Sequence, residues 1–401
     1  MPRPAQGRGP IATTRASARV FRLVLTDGPV RRGELVRRTG LSQPSITKIT
    51  RAFLDRGYLA EVSPGHGRNG VGGRDVRIGR PSVPLDVRAD REFVVGVKVT
   101  ANELIGVVTD LRAHVRHAAR NHLSGHDVAD VVRSVAGLVD ELRRLEPRFR
   151  VRTHALGVSV AGAVDRDRGI ARYEPFHGWR DLRLADLISA ETGLPTVVDN
   201  DVRALTEAEN WFGVGARADS FLLVTVGAGV TGGLVVDGRV RTGAFGVAGE
   251  LGHVPVDPRG PRCYCGATGC LEAVASEPAI VRRAAELLGE PDLALPDLVR
   301  RAQGGDARVR GVFEEAGRAV GRAAAGVVNL LGPEVVVVSA DHQAGLALLE
   351  PHLRAALHEA SYGAAGRAEV VVRLAPFEEW ARGAAAVAIA RRIGDFTSPP
   401  G

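Results

Sequence analysis

An α/β fold carrying a small, basic helical module at its N-terminus is what this 401-residue sequence predicts, on three observations. From residue 93 onward, apolar runs of strand length alternate with amphipathic helical stretches, the pattern of packed α and β layers. A strand, small-residue turn and strand at residues 93–110 recurs at 221–237, which points to an internal duplication with a ligand cleft between the halves. Charge is also unevenly placed: residues 1–88 carry 17 Lys+Arg against 6 Asp+Glu, or +11, leaving −4 for the rest of a chain of net charge +7. A basic segment of this kind suits a polyanionic partner.

Composition narrows the class. With 45% hydrophobic and 25% charged residues the chain reads as globular, and its length exceeds one ordinary domain. It holds no run of about 18 uncharged apolar residues, so no membrane span is expected. The basic N-terminus leads into no apolar core with a cleavage site, so no signal peptide is expected either, and the expected location is cytoplasmic.

Residues 1–13 read as a flexible basic tail and 14–82 as an α+β winged helix-turn-helix domain. Val20, Leu23, Val24 and Leu25 give a first helix an apolar stripe that stops at Asp27-Gly28-Pro29. A second helix, about 32–39, buries Leu35 and Val36 and ends at Gly40. Ser42 can cap a third helix, in which Pro44 is tolerated in the first turn and Ile46, Ile49 and Phe53 face inward. Helix, tight turn and helix is an arrangement whose second helix can enter a major groove. Gln43, Ser45, Thr47 and Lys48 are assigned to base edges and Arg51 to phosphate. A strand at 58–62, a Gly-rich loop at 64–73 and a return strand at 76–78 would form a wing. Arg68, Arg74, Arg77 and Arg80 on it suit backbone or minor-groove contact. The bland reading is a protein-docking module with solvated charge; the charge asymmetry and the wing favour DNA.

A linker is expected at 83–92, a first half at 93–198, a second at 199–380 and a closing helix at 381–395. Within these, helices are expected at about 128–145, 202–211, 279–288, 295–302 and 309–331, and strands at 155–160, 335–339 and 370–374. Residues 250–272 hold all three cysteines, Cys263, Cys265 and Cys270, with His253 just upstream. Zinc prefers four nitrogen or sulfur ligands in a closed tetrahedron when structural, and this His-x9-Cys-x-Cys-x4-Cys loop supplies four. One zinc ion per chain is therefore expected, against the alternative of three reduced thiols and a surface histidine. The odd count and absent secretory signal disfavour a disulfide.

Gly249, Glu250, Gly252 and His253, followed by Cys-x-Cys-Gly-x-x-Gly-Cys-Leu-Glu from Cys263 to Glu272, resemble the signature of the ROK family of bacterial sugar kinases and sugar-responsive repressors. The resemblance runs over about 91–393. It implies a duplicated actin-like, ribonuclease-H-like sugar-kinase fold, and the N-terminal segment resembles the winged module of the family's repressors, with a longer wing loop. It implies a structural zinc, a histidine, His253, shared by metal and sugar, and sugar-binding carboxylates at Glu250 and Glu272. Asn200 would hold a sugar hydroxyl, Asp201 would occupy the place of the kinase's general base and either accept the hydroxyl proton or simply bind the hydroxyl, and Gly162 would let the sugar approach the backbone. Without the family context, Asn200-Asp201 reads as an ordinary turn and cap. Where many members have Asn before a Trp, this chain has Pro175-Phe176-His177-Gly178-Trp179.

On the nucleotide side the chain departs from the kinases. It aligns Lys98, Val99, Thr100, Ala101, Asn102 and Glu103 with Asp-x-Gly-Gly-Thr-Lys, lacks the Thr after Gly227, and has Ser339-Ala340-Asp341 in place of a double glycine. The expectation is a non-enzymatic, sugar-responsive DNA-binding regulator, with a DNA operator and a sugar effector as partners and a homodimer or homotetramer as assembly. The alternative is an active ATP-dependent, glucokinase-like sugar kinase fused to a DNA-binding module.

Overall fold

In the computed structural model of the chain, residues 9–62, 83–123, 125–340 and 342–394 are described. The first module opens with α1 (Arg15–Asp27), which starts where Thr14 and Ser17 cap each other's backbone amides. α2 (Arg32–Thr39) ends at Gly40 in the left-handed conformation, and α3 (Gln43–Asp55) begins at the Ser42 cap with Pro44 in its first turn. Phe21 packs on Phe53 with ring centroids 4.9 Å apart and meets Tyr58 edge-on at 6.0 Å. β1 (Leu59–Glu61) then pairs antiparallel with β2 (Leu85–Val87).

Two expectations change here. The segment read as a linker holds β2 and a 3-10 turn, Ala89–Arg91, so the hairpin's return strand lies at 85–87. Three-residue strands are too short to show periodicity. The strand expected at 76–78, with Arg68, Arg74, Arg77 and Arg80, lies outside the described residues. Nor are residues 9–13 a free tail: Ile11 and Ala12 are buried, and their amides donate to the Arg392 and Ile393 carbonyls at 2.7 and 3.0 Å.

The first half is built from β3 (Phe93–Val99), β4 (Glu103–Asp110), β5 (Val115–His122), α4 (Val128–Arg144), α5 (Pro147–Arg152), β6 (Thr153–Val160), a small antiparallel sheet of β7 (Ala163–Asp165), β8 (Ile170–Glu174) and β9 (Trp179–Leu182), α6 (Leu184–Thr192) and β10 (Thr196–Asn200). The second is built from α7 (Asp201–Phe212), β11 (Phe221–Val226), β12 (Val230–Val236), β13 (Arg239–Val240), α8 (Leu271–Ala275), α9 (Glu277–Leu288), α10 (Leu295–Gln303), α11 (Ala307–Leu331), β14 (Val335–Ala340), α12 (Gln343–Ala360), β15 (Glu369–Leu374) and α13 (Phe377–Ile393). The large sheets run β5-β4-β3-β6-β10 and β13-β12-β11-β14-β15. Taking each half's five strands in chain order, both sheets read third, second, first, fourth, fifth, with antiparallel pairs on one side and parallel pairs on the other. The duplication read from the sequence is thus a repeated topology. β5 went unread because its residues are almost all exposed, and α12 because Pro351 interrupts its leucine pattern.

α7 and α13 lie between the two sheets. Leu205 of α7 packs with Phe221, Leu223 and Val337 of the second sheet, while Ala385 and Ile389 of α13 pack with Val94 of the first. The approach of α13 to the sheet is close enough to require paired glycines on neighbouring strands. A β-carbon on Gly96 would overlap the Ala381 carbonyl oxygen, and one on Gly157, its partner in register, would overlap that of Ala384. The apolar core of the first module is continuous with this layer: Val20, Phe21 and Leu85 share a cluster with Trp211, Ala388 and Ile393. No helix of the described residues is long and apolar enough to cross a membrane.

Candidate ligand cleft, metal centre and nucleic-acid interface

The loop between β13 and α8 gathers four metal-ligand side chains. The ligand atoms of His253, Cys263, Cys265 and Cys270 all lie within 4.8 Å of one another. His253 ends a 3-10 turn (Leu251–His253), Cys263 and Cys265 lie on a turn closed by the Cys263 amide on the Ala267 carbonyl, and Cys270 caps α8. Gly269, at φ 70°, passes so near the Asp257 carbonyl that a side chain would collide with it. Cys263 Sγ is 3.6 Å from His253 Nδ1 and Cys265 Sγ is 3.6 Å from Cys270 Sγ. A tetrahedral zinc with Zn–S bonds near 2.3 Å has S···S edges of about 3.8 Å, so the donors fit such an ion. The amide of Ala267 on Cys265 lowers that thiol's pKa, whereas burial pushes Cys270 up to about 12, a cost that a bound cation offsets.

The histidine faces two ways. With Nδ1 toward the sulfurs, Nε2 lies 3.1 Å from the Tyr264 hydroxyl. Tyr264 is 81% exposed overall, but partial shielding of its hydroxyl, followed by the carboxylate of Glu272, raises the phenol, whose oxygen also meets His253 Nε2. Glu272 Oε2 also accepts the Val230 amide at 3.1 Å. Burial raises the Glu250 carboxyl, and His253, Glu272, Asp201 and Arg203 are the charges acting on it. The Gly252 backbone also lies against the Glu272 side chain, so the 249–253 segment and the start of α8 meet.

Asn200 ends β10 and caps α7: its Oδ1 accepts the Arg203 amide at 3.1 Å and its Nδ2 donates to the Gly162 carbonyl at 3.0 Å. The capping reading thus holds, and the same side chain also reaches the Gly162 backbone. Asp201 is the first residue of α7. Its Oδ2 is taken by the Lys98 ammonium and its Oδ1 by the Val202 amide at 2.8 Å. Lys98, buried at the end of β3, has its Nζ 5.8 Å from the centroid of the Trp380 ring. The β3–β4 turn is closed on itself, with the Thr100 amide on the Glu103 carbonyl at 3.0 Å and the Thr100 hydroxyl accepting the Glu103 amide at 3.0 Å.

Sequence reading missed the frame behind Asn200 and Asp201. Arg203 of α7, 4% exposed, donates to Asp199 Oδ1 at 2.8 and 2.6 Å, to the Val164 carbonyl at 2.7 Å and to the Gly246 carbonyl at 2.7 Å. Arg166 grips the other oxygen of Asp199 at 2.6 Å. Burial alone would raise the Asp199 carboxyl, but the two guanidiniums hold it below the usual carboxylate range. The Asp199–Arg203 spacing of four was visible, but its targets on β7 and on the loop at 241–249 were not. The Phe176 turn is likewise pinned by buried Glu174, which accepts the Phe176 and His177 amides at 3.1 and 2.7 Å and leaves the Phe176 ring 57% exposed.

On α3, Gln43, Ser45, Thr47, Lys48 and Arg51 are all exposed on one surface, while Ile46, Thr50 and Phe53 are buried and Ile49 is half-buried. Arg51 pairs with Asp55 at 3.2 Å. The module joins the cleft layer through Arg22 of α1, whose guanidinium lies 4.5 Å from the ring centroid of Trp211 in the last turn of α7. It joins α13 through Tyr58, which donates to buried Glu92, itself held by Arg392 at 3.0 Å.

The profile of the family described as ROK family matches residues 94–391. The chain is 29% identical over 348 residues to the DNA-binding transcriptional dual regulator NagC of Escherichia coli K12, covering 81% of this chain and 80% of that protein. It is 34% identical over 248 residues to a glucokinase of Thermotoga maritima, covering 58% and 77%. It is similar in structure to a ROK family transcriptional regulator described as a homologue of the E. coli MLC protein. That superposition has a TM-score of 0.78 at 28% identity and spans 94% of this chain and 95% of the other.

Proposed function

Because the chain belongs to the ROK family, we propose that it is a sugar-responsive, DNA-binding transcriptional repressor whose kinase-like domain binds a sugar or sugar derivative without phosphorylating it. The observation that carries the reading is the polar, exposed face of α3 on a basic module that shares its apolar core with the ligand layer. Similarity to regulators covers more of the chain than similarity to kinases, with NagC matching 81% against 58% for the glucokinase and the ROK regulator structure spanning 94%, which supports the same reading. Such a protein acts on DNA in the cytoplasm, and paired modules reading two half-sites call for a homodimer or homotetramer.

In this reading Gly162, Asn200, Asp201, Glu250, Glu272 and the Nε2 side of His253 form the sugar site. His253 Nδ1, Cys263, Cys265 and Cys270 hold one zinc ion, which supplies a rigid clamp for the loop. Gln43, Ser45, Thr47 and Lys48 reach base edges and Arg51 a phosphate, joined by Arg68, Arg74, Arg77 and Arg80. Asp201, held by the Lys98 ammonium and the Val202 amide, keeps lone pairs that can accept a sugar hydroxyl, and the Lys98 ammonium standing where kinases carry an acidic residue supports binding rather than turnover.

Coupling follows from α7. Its 12 residues rise about 18 Å, from Asn200 and Asp201 at the cleft to Trp211 under Arg22 of the first module. A sugar that shifts the start of α7 moves the surface on which the module rests, and useful coupling is on the order of 1 to 3 kcal/mol. The test is DNA binding by fluorescence anisotropy on the region upstream of the protein's own gene, at fixed salt, with a sugar panel. Selective, salt-sensitive binding that one sugar releases is expected; absence of selective binding overturns the reading. The kinase alternative is favoured by Asp201 and by the glucokinase similarity. An ATP-coupled assay over the same sugars decides it, since turnover abolished by Asp201→Asn would make the protein a kinase.

A further inference from the structure

Where the first module meets the first half lies a cavity of about 660 Å³ that none of the roles above uses. It is lined by the end of α3, by the 3-10 turn after β2, and by the junction of α5 and β6. Arg56, Arg91 and Arg152 come to it from these three elements. Its two acids are already engaged: Asp55 with Arg51 at 3.2 Å, and buried Glu92 with Arg392 at 3.0 Å and with Tyr58. Among the described residues no carboxylate lies within ion-pair distance of Arg56, Arg91 or Arg152.

These arginines are nonetheless held in place. Arg56 Nη1 donates to the Ile11 carbonyl at 2.6 Å, Arg91 Nε to that of Arg56 at 3.4 Å, and Arg152 Nη1 to that of Asp90 at 3.2 Å. The guanidiniums of Arg56 and Arg91 also sit 5.0 and 5.7 Å from the Tyr58 ring centroid. Each guanidinium has five N–H donors, so most remain available. Three cations fixed around one cavity repel one another unless an anion joins them.

We propose that this cavity is a second ligand site, distinct from the sugar cleft, for a small phosphorylated molecule. Guanidinium forks match the oxygens of a phosphate, and a phosphate can accept from three directions where a carboxylate offers two oxygens. The volume falls within the range of about 300–1,000 Å³ typical of small-molecule sites and exceeds the needs of a bare phosphate. The Tyr58 ring and the Pro10 and Val151 side chains give the rest of the ligand an apolar wall. A bound anion would tie Arg56, just beyond α3, to Arg152 on the ligand-binding domain, and so fix the DNA-reading helix against it.

The experiment is thermal unfolding of the full-length protein at constant ionic strength, with inorganic phosphate, a hexose 6-phosphate and the neutral hexose as probes. The phosphorylated probes should raise the midpoint. Arg91→Gln with Arg152→Gln, both exposed positions, should remove that rise and weaken binding at least tenfold while leaving the circular dichroism unchanged. Asn200→Ala, which disables the cleft, should leave the rise intact. The proposal is overturned if neither phosphorylated probe raises the midpoint, or if the rise survives the arginine changes and disappears with Asn200→Ala. Failure of the sugar reading would instead show as a lost response to neutral sugars, with the phosphate response retained.

Discussion

Replacing Arg203 with methionine keeps the apolar stem and removes the guanidinium that frames the cleft. The side chain is 4% exposed and donates to Asp199, to the Val164 carbonyl and to the Gly246 carbonyl. Arg166 remains on the other oxygen of Asp199 and the Asn200 amide still donates to Oδ1 at 2.8 Å, so the carboxylate keeps two partners and the Val164 carbonyl is the buried acceptor that loses its guanidinium donor. Leaving a buried acceptor without a donor costs about 1 to 3 kcal/mol, and the Gly246 carbonyl, less buried, can turn to water. The expected loss is about 3 kcal/mol, within the range for breaking a buried ion pair. The assay is urea unfolding at pH 7.5 followed by tryptophan fluorescence, since Trp211 ends the same helix. The acid limb gives a second readout. Asp199 is held below its ordinary value, so its stabilisation is full above the unfolded-state value of about 3.9 and is lost as pH falls through the lower folded value. Without Arg203 that folded value rises, and acid unfolding should begin at higher pH. Arg203→Lys, a single point donor, should fall between the two proteins. A cost below about 1 kcal/mol with an unchanged acid limb would refute the account of this frame.

Wild-type protein should carry about one zinc ion per chain by elemental analysis, and Cys265→Ser should lose it and unfold at a lower temperature. In Gly157→Val the side chain would collide with the Ala384 carbonyl, so α13 should detach from the sheet, with about 3 kcal/mol lost or insoluble expression. Trp211→Ala should leave sugar affinity within about twofold by calorimetry but reduce sugar-induced release of DNA about tenfold, because it removes the surface under Arg22. Arg51→Ala should weaken DNA binding evenly across sequences and lower the salt slope by about 1 in anisotropy titrations.

What could be read in the sequence was local or repeated. The four metal-ligand residues fall within 18 positions, so spacing alone assembled them, and Ser42, Pro44 and Gly40 marked the ends of α2 and α3 because capping is settled within a turn. The two sheets were foreshadowed by recurring apolar pairs at 93–110 and 221–237. What escaped depends on distant partners. Lys98 read only as a charge reversal, because Asp201, the residue it neutralises, lies 103 positions away. The 83–92 segment looked like a linker because β2 is held by β1 and by the Val30 bridge rather than by any pattern of its own. Arg203 showed the right spacing to Asp199, but spacing could not reveal that its other donors reach β7 and the loop carrying Gly246.

The paired glycines beneath α13 bear on how such a molecule is made. Translation delivers the N-terminal residues first, yet the face of the first sheet that carries Gly96 and Gly157 is closed by residues 377–393, which follow every other element of both halves. The same helix supplies the carbonyls that receive Ile11 and Ala12, and the guanidinium that secures Glu92 and, through it, Tyr58. A nascent chain that has reached β15 therefore has α3 but not the contacts that α13 supplies to its module. Until translation passes Ile393, the module has its contacts with Arg112 and Trp211 but lacks the pairing of Ile11 and Ala12 and the Arg392 anchor of Glu92.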